Sequence, residues 1–186
     1  MQVRARRKAR EAALRALYQL EITRSLMEEG IQDTLEHAEL SSDLAEFMQT
    51  LVRGVRHHQN DLDELLASLI TDWDYDRVAP IDRNLLRIGA FELLHLPQVP
   101  PAVSINEAVE LAKKYSTAES GKFVNGVLGK LLAQSPKAKW DPATAPEEEP
   151  WVEAAEPEPE AVVEEVAEDS PEAEELRRVG LWRLRA

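Results

Sequence analysis

The chain has 186 residues, a formal net charge of −13 and no cysteine. Without cysteine there are no disulfides, thiolate metal sites or cysteine nucleophiles, and no apolar run approaches the roughly 20 residues that span a bilayer. The charge is uneven: residues 1–135 hold 16 Lys/Arg and 20 Asp/Glu, whereas residues 136–186 hold 6 and 15, so the average hides a basic N-terminus and an acidic tail.

The first 135 residues read as helix after helix. In Ala9–Ile22 the residues Ala9, Ala13, Leu17 and Leu20 recur at steps of three or four, the helical period. Glu11, Arg15, Gln19 and Glu21 interrupt this stretch, so the basic start does not read as a secretory signal, and a soluble cytoplasmic protein is expected. Gly30 is expected to break a short second helix. Ser41 and Ser42 are N-cap candidates for the next one, whose apolar stripe from Leu44 to Leu69 pauses near Asn60.

Pro80 suits the first turn of a helix from Ile81 to about Leu94. The prolines of "LPQVPPAVS" (Leu96–Ser104) predict a stiff turn. Ser104 with Glu107, and Ser116 with Glu119, match the capping box S-x-x-E and are expected to open the last two helices. The fold class is therefore all-α, six or seven helices in small bundles, over residues 1–135. Residues 136–186 are rich in Pro, Glu and Ala and are expected to be a disordered tail, since they bury too little apolar surface to offset ordering entropy. The tail ends in the basic, apolar "LRRVGLWRLRA" (Leu176–Ala186), either a short docking motif or simply its end.

Nothing in the sequence points to an enzyme or a cofactor. Asp72, Asp74 and Asp76 begin like a calcium loop, but Arg77 and Arg83 stand where it needs Gly and Glu. His57 and His58 are adjacent and point apart, which suits a solvated helix face better than a metal pair. Most carboxylates fall in first turns, where the helix dipole accounts for them.

The stretch Arg4–Arg10 packs five cations into seven residues. Such an arm can neutralise phosphates and release counterions; a solubilising cluster balancing the acidic tail is the other reading. A second feature favours nucleic acid. In "LAKKYSTAESGKFVNGVLGKLL" (Leu111–Leu132), lysines surround a helix junction flanked by Tyr115 and Phe123, with Asn125 following. Single-stranded RNA is read by aromatic stacking and amide hydrogen bonds, although this stretch by itself favours Phe123 in the core and solvated lysines.

These stretches, together with "ARRKAREAALRALYQ", "IDRNLLRIGAFEL" and "VSINEAVELAKKYS" in the same order and spacing, resemble the bacterial NusB family of transcription antitermination factors from about Arg4 to Leu132. The resemblance implies an all-helical domain that binds boxA RNA with the ribosomal protein NusE, and joins RNA polymerase elongation complexes with other Nus factors on ribosomal RNA operons. It also implies that Arg4, Arg6, Arg7, Lys8 and Arg10 contact RNA. Phe123 would be the RNA-facing aromatic, flanked by Lys122 and Asn125, and Glu119 would be an acidic residue near RNA whose removal favours binding. Asp82, with Arg83, would face NusE, and Tyr18 would lie nearby or in the core.

Gly129 departs from the family, which often has an acid there, and the tail has no counterpart in it. The resemblance leaves monomer and homodimer open. Two alternatives remain: a helical protein scaffold without RNA, or a relative of the NusB-like domain of rRNA cytosine methyltransferases, whose cysteine and Rossmann-like domain this chain lacks.

Overall fold

The computed structural model describes residues 2–71 and 74–145, except for the side chains of residues 2–5. Among them seven α-helices follow one another: α1 Gln2–Thr23, α2 Met27–Ala38, α3 Ser42–His57, α4 Gln59–Leu69, α5 Pro80–His95, α6 Pro101–Tyr115 and α7 Ala118–Gln134. Short 3-10 turns lie at Tyr75–Arg77 and Pro136–Lys139. The fold is all-α, as the helical periodicity predicts.

Helix α1 buries Ala9, Ala12, Ala13, Ala16, Leu17 and Leu20 along one face against α3 and α5. Alanine combines high helix propensity with a short side chain, so the face forms readily and approaches its neighbours closely. Helix α5 is the centre of the helical bundle. From Asp82 to Leu93 every residue except Arg83 is buried, and α1, α3, α4, α6 and α7 all pack on it.

A helix enclosed on all sides must satisfy its polar side chains inside the protein. Asp82 accepts a 2.7 Å bond from the Ser120 hydroxyl of α7. Asn84 donates to Glu21 of α1 at 2.9 Å, and Arg87 grips Asp63 of α4 with two bonds of 2.7 and 2.6 Å. Glu92 accepts two bonds from Arg10 of α1, at 2.6 and 3.1 Å. Each of these neighbours is thus held by apolar contact and by directional bonds that set its register. The Tyr75 hydroxyl adds a 2.6 Å bond to Asp63. Burial, reinforced by that bond, raises the Tyr75 phenol far above its ordinary range and keeps it a donor.

Several helix boundaries differ from the sequence expectation. Pro80 does open α5, but α6 starts at Pro101, where a missing N–H costs nothing, and not at Ser104. Ser104 is consequently buried within α6, and Glu107 bonds to Arg7 instead of to an N-cap. Thr117, not Ser116, caps α7 by accepting the Ser120 N–H at 3.0 Å. Gly30 lies inside α2, where a Cβ would stand 2.7 Å from Leu20. It serves close packing, and the chain turns earlier, at Arg24, whose φ is 54°. Helix α4 begins at Gln59, directly after α3, without a cap at Asn60.

The packing also runs past Ser135, correcting the expectation that disorder begins at residue 136. The buried Lys137 ammonium donates to the carbonyls of Glu92, Leu96 and Val99 at 2.6, 2.6 and 2.7 Å, and the Trp140 indole donates to Pro97 at 2.9 Å. A cation among carbonyls at the end of α5 complements the helix dipole. Burial pushes the ammonium down to about 8, which leaves it protonated at neutral pH. Composition could not show that these carbonyls await a donor. Residues 146–186, including Leu176–Ala186, lie outside the described residues.

His58 is half-buried, not solvated as its neighbourhood in the sequence suggests. Its ring stacks on His95 with centroids 4.0 Å apart. Burial first, and the neighbouring His58 second, lower the His95 imidazole to about 4 from its ordinary 6.5. In that window the unfolded chain binds the extra proton, so stability falls as pH drops from 6.5 towards 4. For a half-exposed ring the loss should be about 1–2 kcal/mol. Urea denaturation across this range should show a steeper acid loss for the native chain than for His95→Gln; identical slopes would count against it.

Candidate nucleic-acid interface

Helix α1 is tied along α6 by polar contacts. Arg7 donates two 2.7 Å bonds to Glu107, whose side chain is 1% exposed. One turn later Glu11 accepts from Lys114 at 2.9 and 3.0 Å and from the Tyr115 hydroxyl. Burial works to raise the Glu11 carboxyl, but the Tyr115 and Lys114 bonds outweigh it and hold it below its ordinary range. From α6 the surface continues onto α7. The stem of Lys113 crosses Gly121, where a Cβ would stand 2.9 Å from its Cγ. The absence of a side chain at Gly121 thus lets a lysine lie across the first turns of α7.

The result is a connected surface carrying exposed Lys8, Lys113, Lys114, Lys122 and Asn125. Lys113 pairs with Glu110, and Lys122 with Glu119, through exposed bridges. Pairs of this kind contribute little and exchange readily for phosphate. Phe123 is half-buried beside them, on the wall of a cleft of about 320 Å³ also lined by Arg77, Asp82, Glu119 and Ser120. A phosphate backbone would find cations here and a base an aromatic face.

The sites expected from the sequence divide into three groups. Lys8, Glu119, Lys122, Phe123 and Asn125 lie on this surface, while the side chain of Arg4 is outside the described residues. Arg6 and Arg7 are anchored: Arg6 lies over the Phe47 ring at 4.8 Å, and Arg7 neutralises the buried Glu107. Arg10 is corrected. It is 2% exposed, bonded to Glu92 and packed beside Phe47, so it cannot meet a phosphate. Its position between Ala9 and Ala13 on the buried stripe was the available signal, and the run of cations concealed it.

Among the partner-facing candidates, Tyr18 is 40% exposed, which settles it as surface. It shares a smaller cleft, about 170 Å³, with Glu11, Leu14, Arg15, Ile81 and Tyr115. Ile81 and Asp82 therefore open into different clefts on either side of the first turn of α5. Asp82 is 7% exposed, and its Oδ1 has no donor among the described residues. Arg83 is bonded to Glu21 and, at 3.4 Å, to the Asp76 carbonyl. Sequence reasoning passed over Ser120 and Arg77; the hydroxyl-rich "STAES" was the one visible hint of the former.

Residues 7–133 match the model of the NusB family. The chain belongs to the NusB family. A transcription antitermination protein NusB from Myxococcus xanthus is 44% identical over 131 residues, covering 68% of this chain and 94% of that protein. Its namesake from Bacillus subtilis is 40% identical over 126 residues, with 68% and 93% covered. Among solved structures, T. maritima NusB superposes with a TM-score of 0.68 at 34% identity, over 72% of this chain and 95% of that one. A complex of the antitermination factors NusB and NusE with double-stranded RNA gives a TM-score of 0.65 at 30% identity, over 70% and 98%. The NusB match stops short of the Lys137 contact. Among the described residues no helix is long and apolar enough to cross a membrane.

Proposed function

We propose that this NusB-family chain is a cytoplasmic transcription antitermination factor that binds boxA-type RNA together with NusE. Joined to the RNA polymerase elongation complex with other Nus factors, it supports processive transcription of ribosomal RNA operons. The observation that carries this proposal is the connected surface from the start of α1, over Lys113 and Lys114, to Phe123. The likeness to a NusB–NusE complex with RNA supports it. Lys8, Lys113, Lys114 and Lys122 hold phosphates, with Arg4, Arg6 and Arg7 at the border. Phe123 stacks a base and Asn125 offers amide hydrogen bonds, while Tyr18, Asp82 and Arg83 face NusE. No catalytic step or cofactor enters.

The test is a boxA titration with and without NusE at two salt concentrations. Phe123→Ala should cost about 1–3 kcal/mol and weaken boxA more than a scrambled RNA. Lys8→Ala should weaken both RNAs alike and reduce the salt slope by about 1. Lys8 is the better phosphate probe than Arg7, because removing Arg7 strands a buried carboxylate. Glu119→Asn should tighten RNA. Absence of boxA binding under every condition would sink the proposal.

A further inference from the structure

We infer that Ser120 is a positioning residue that couples the partner-facing turn of α5 to the RNA-facing turn of α7. This inference rests on the function proposed above and adds a mechanism by which the two ligands favour each other.

The Ser120 hydroxyl has one proton and three oxygen neighbours: Asp82 Oδ2 at 2.7 Å, Ser116 Oγ at 2.9 Å and Thr117 Oγ1 at 2.9 Å. Only one of them can receive that proton; a hydroxyl that does not receive it can donate to Ser120, whereas the carboxylate can only accept. When Ser120 donates to Asp82, Ser116 and Thr117 both point their protons at Ser120. The chain of bonds then runs one way, from the α6–α7 junction into α5, and each bond polarises the next. Thr117 keeps its remaining task in this arrangement, because its oxygen still accepts the Ser120 N–H and caps α7. In the other arrangement the Ser120 proton turns to Ser116 or Thr117, and the first turn of α7 loses its tie to α5.

Asp82 decides between the two. Its Oδ2 takes the Ser120 proton, while its Oδ1 is buried and has no donor among the described residues, and the residue lines the cleft shared with Phe123. A buried carboxylate oxygen without a donor is costly, and a donor from the partner relieves that cost. A donor at Oδ1 also fixes the carboxylate plane, holding Oδ2 on Ser120. That selects the clamped arrangement and steadies Glu119 and Phe123, one residue before and three after Ser120, for RNA. By linkage, RNA that requires the clamped turn raises affinity for the partner by the same factor.

The experiment measures the RNA dissociation constant with and without saturating NusE, using the full chain and a boxA oligonucleotide. The native chain should gain at least fivefold in RNA affinity from NusE. Ser120→Ala should cut that gain below twofold while each ligand alone stays within threefold. Ser120→Thr, which restores the hydroxyl, should recover it, a rescue that mere loosening of the fold would not give. In an Asp82→Ala background, Ser120→Ala should change the gain no further. The inference is overturned if Ser120→Ala keeps the native gain, if Ser120→Thr fails to recover it, or if both ligands bind the native chain without any gain. A native chain that binds neither RNA nor NusE overturns the proposed function itself.

Discussion

Glu92→Ala is expected to lower the unfolding free energy by about 3–5 kcal/mol, because it strands a buried guanidinium. Arg10 and Glu92 have side chains 2% and 1% exposed, and the pair joins α1 to the middle of the central helix. One Arg10 nitrogen, Nη1, has no partner among the described residues, so the pair has little polar support to spare. Attraction between the charges offsets their desolvation only while both are present. Arg10→Met combined with Glu92→Leu should therefore recover most of the loss, and urea denaturation of the three variants tests this. The double variant also tests the placement of Arg10. Its boxA affinity should stay within about twofold of the native chain, well below the tenfold that 1.4 kcal/mol would bring. A loss equal to that of Lys8→Ala would return Arg10 to the RNA surface.

Gly54→Ala is expected to destabilise the fold by about 2–3 kcal/mol, the usual overpacking cost exceeding the gain in helix propensity. A Cβ at Gly54 would stand 1.9 Å from Cζ of Phe91 and within 2.6 Å of two other ring atoms. Phe91 is fully buried, and a rigid ring surrounded by close-packed neighbours has nowhere to move. The same substitution in α7 should have the opposite sign. Among the described residues nothing lies within 4 Å of an added Cβ at Gly126 or Gly129, so alanine there should stabilise by up to about 1 kcal/mol each. Thermal denaturation of Gly54→Ala and Gly129→Ala distinguishes a glycine required by packing from one that is not. Destabilisation by Gly129→Ala would contradict the open space around it.

Most of the helical order was legible because it rests on local signals. The stripe Ala9, Ala13, Leu17, Leu20 and the proline at the start of α5 each act within a turn or two. The caps were less legible, because "YSTAES" offers several hydroxyls in overlapping registers and the Ser104 of "VSINE" competes with the prolines just before it. Pro101 and Thr117 won those competitions on backbone geometry. The surface candidates were legible where the residue is long, charged and exposed, as with Lys8 and Lys122. They failed at Arg10, since charge alone does not say whether a guanidinium meets water or a carboxylate 82 positions away.

By itself, the sequence determined the all-helical class, the order of the helices, the separation of an acidic tail from a nearly balanced domain, and the family resemblance. All of these depend on neighbours along the chain or on composition. The tertiary structure alone decided that Glu92, Glu107 and Glu21 serve as internal anchors for arginines and not as dipole partners at helix starts. It also decided that Lys137 closes the end of α5 and that Ser120 meets Asp82. The physical reason is common to these cases. A buried polar group is defined by the partner that replaces its water, and that partner reaches it only when distant segments pack together.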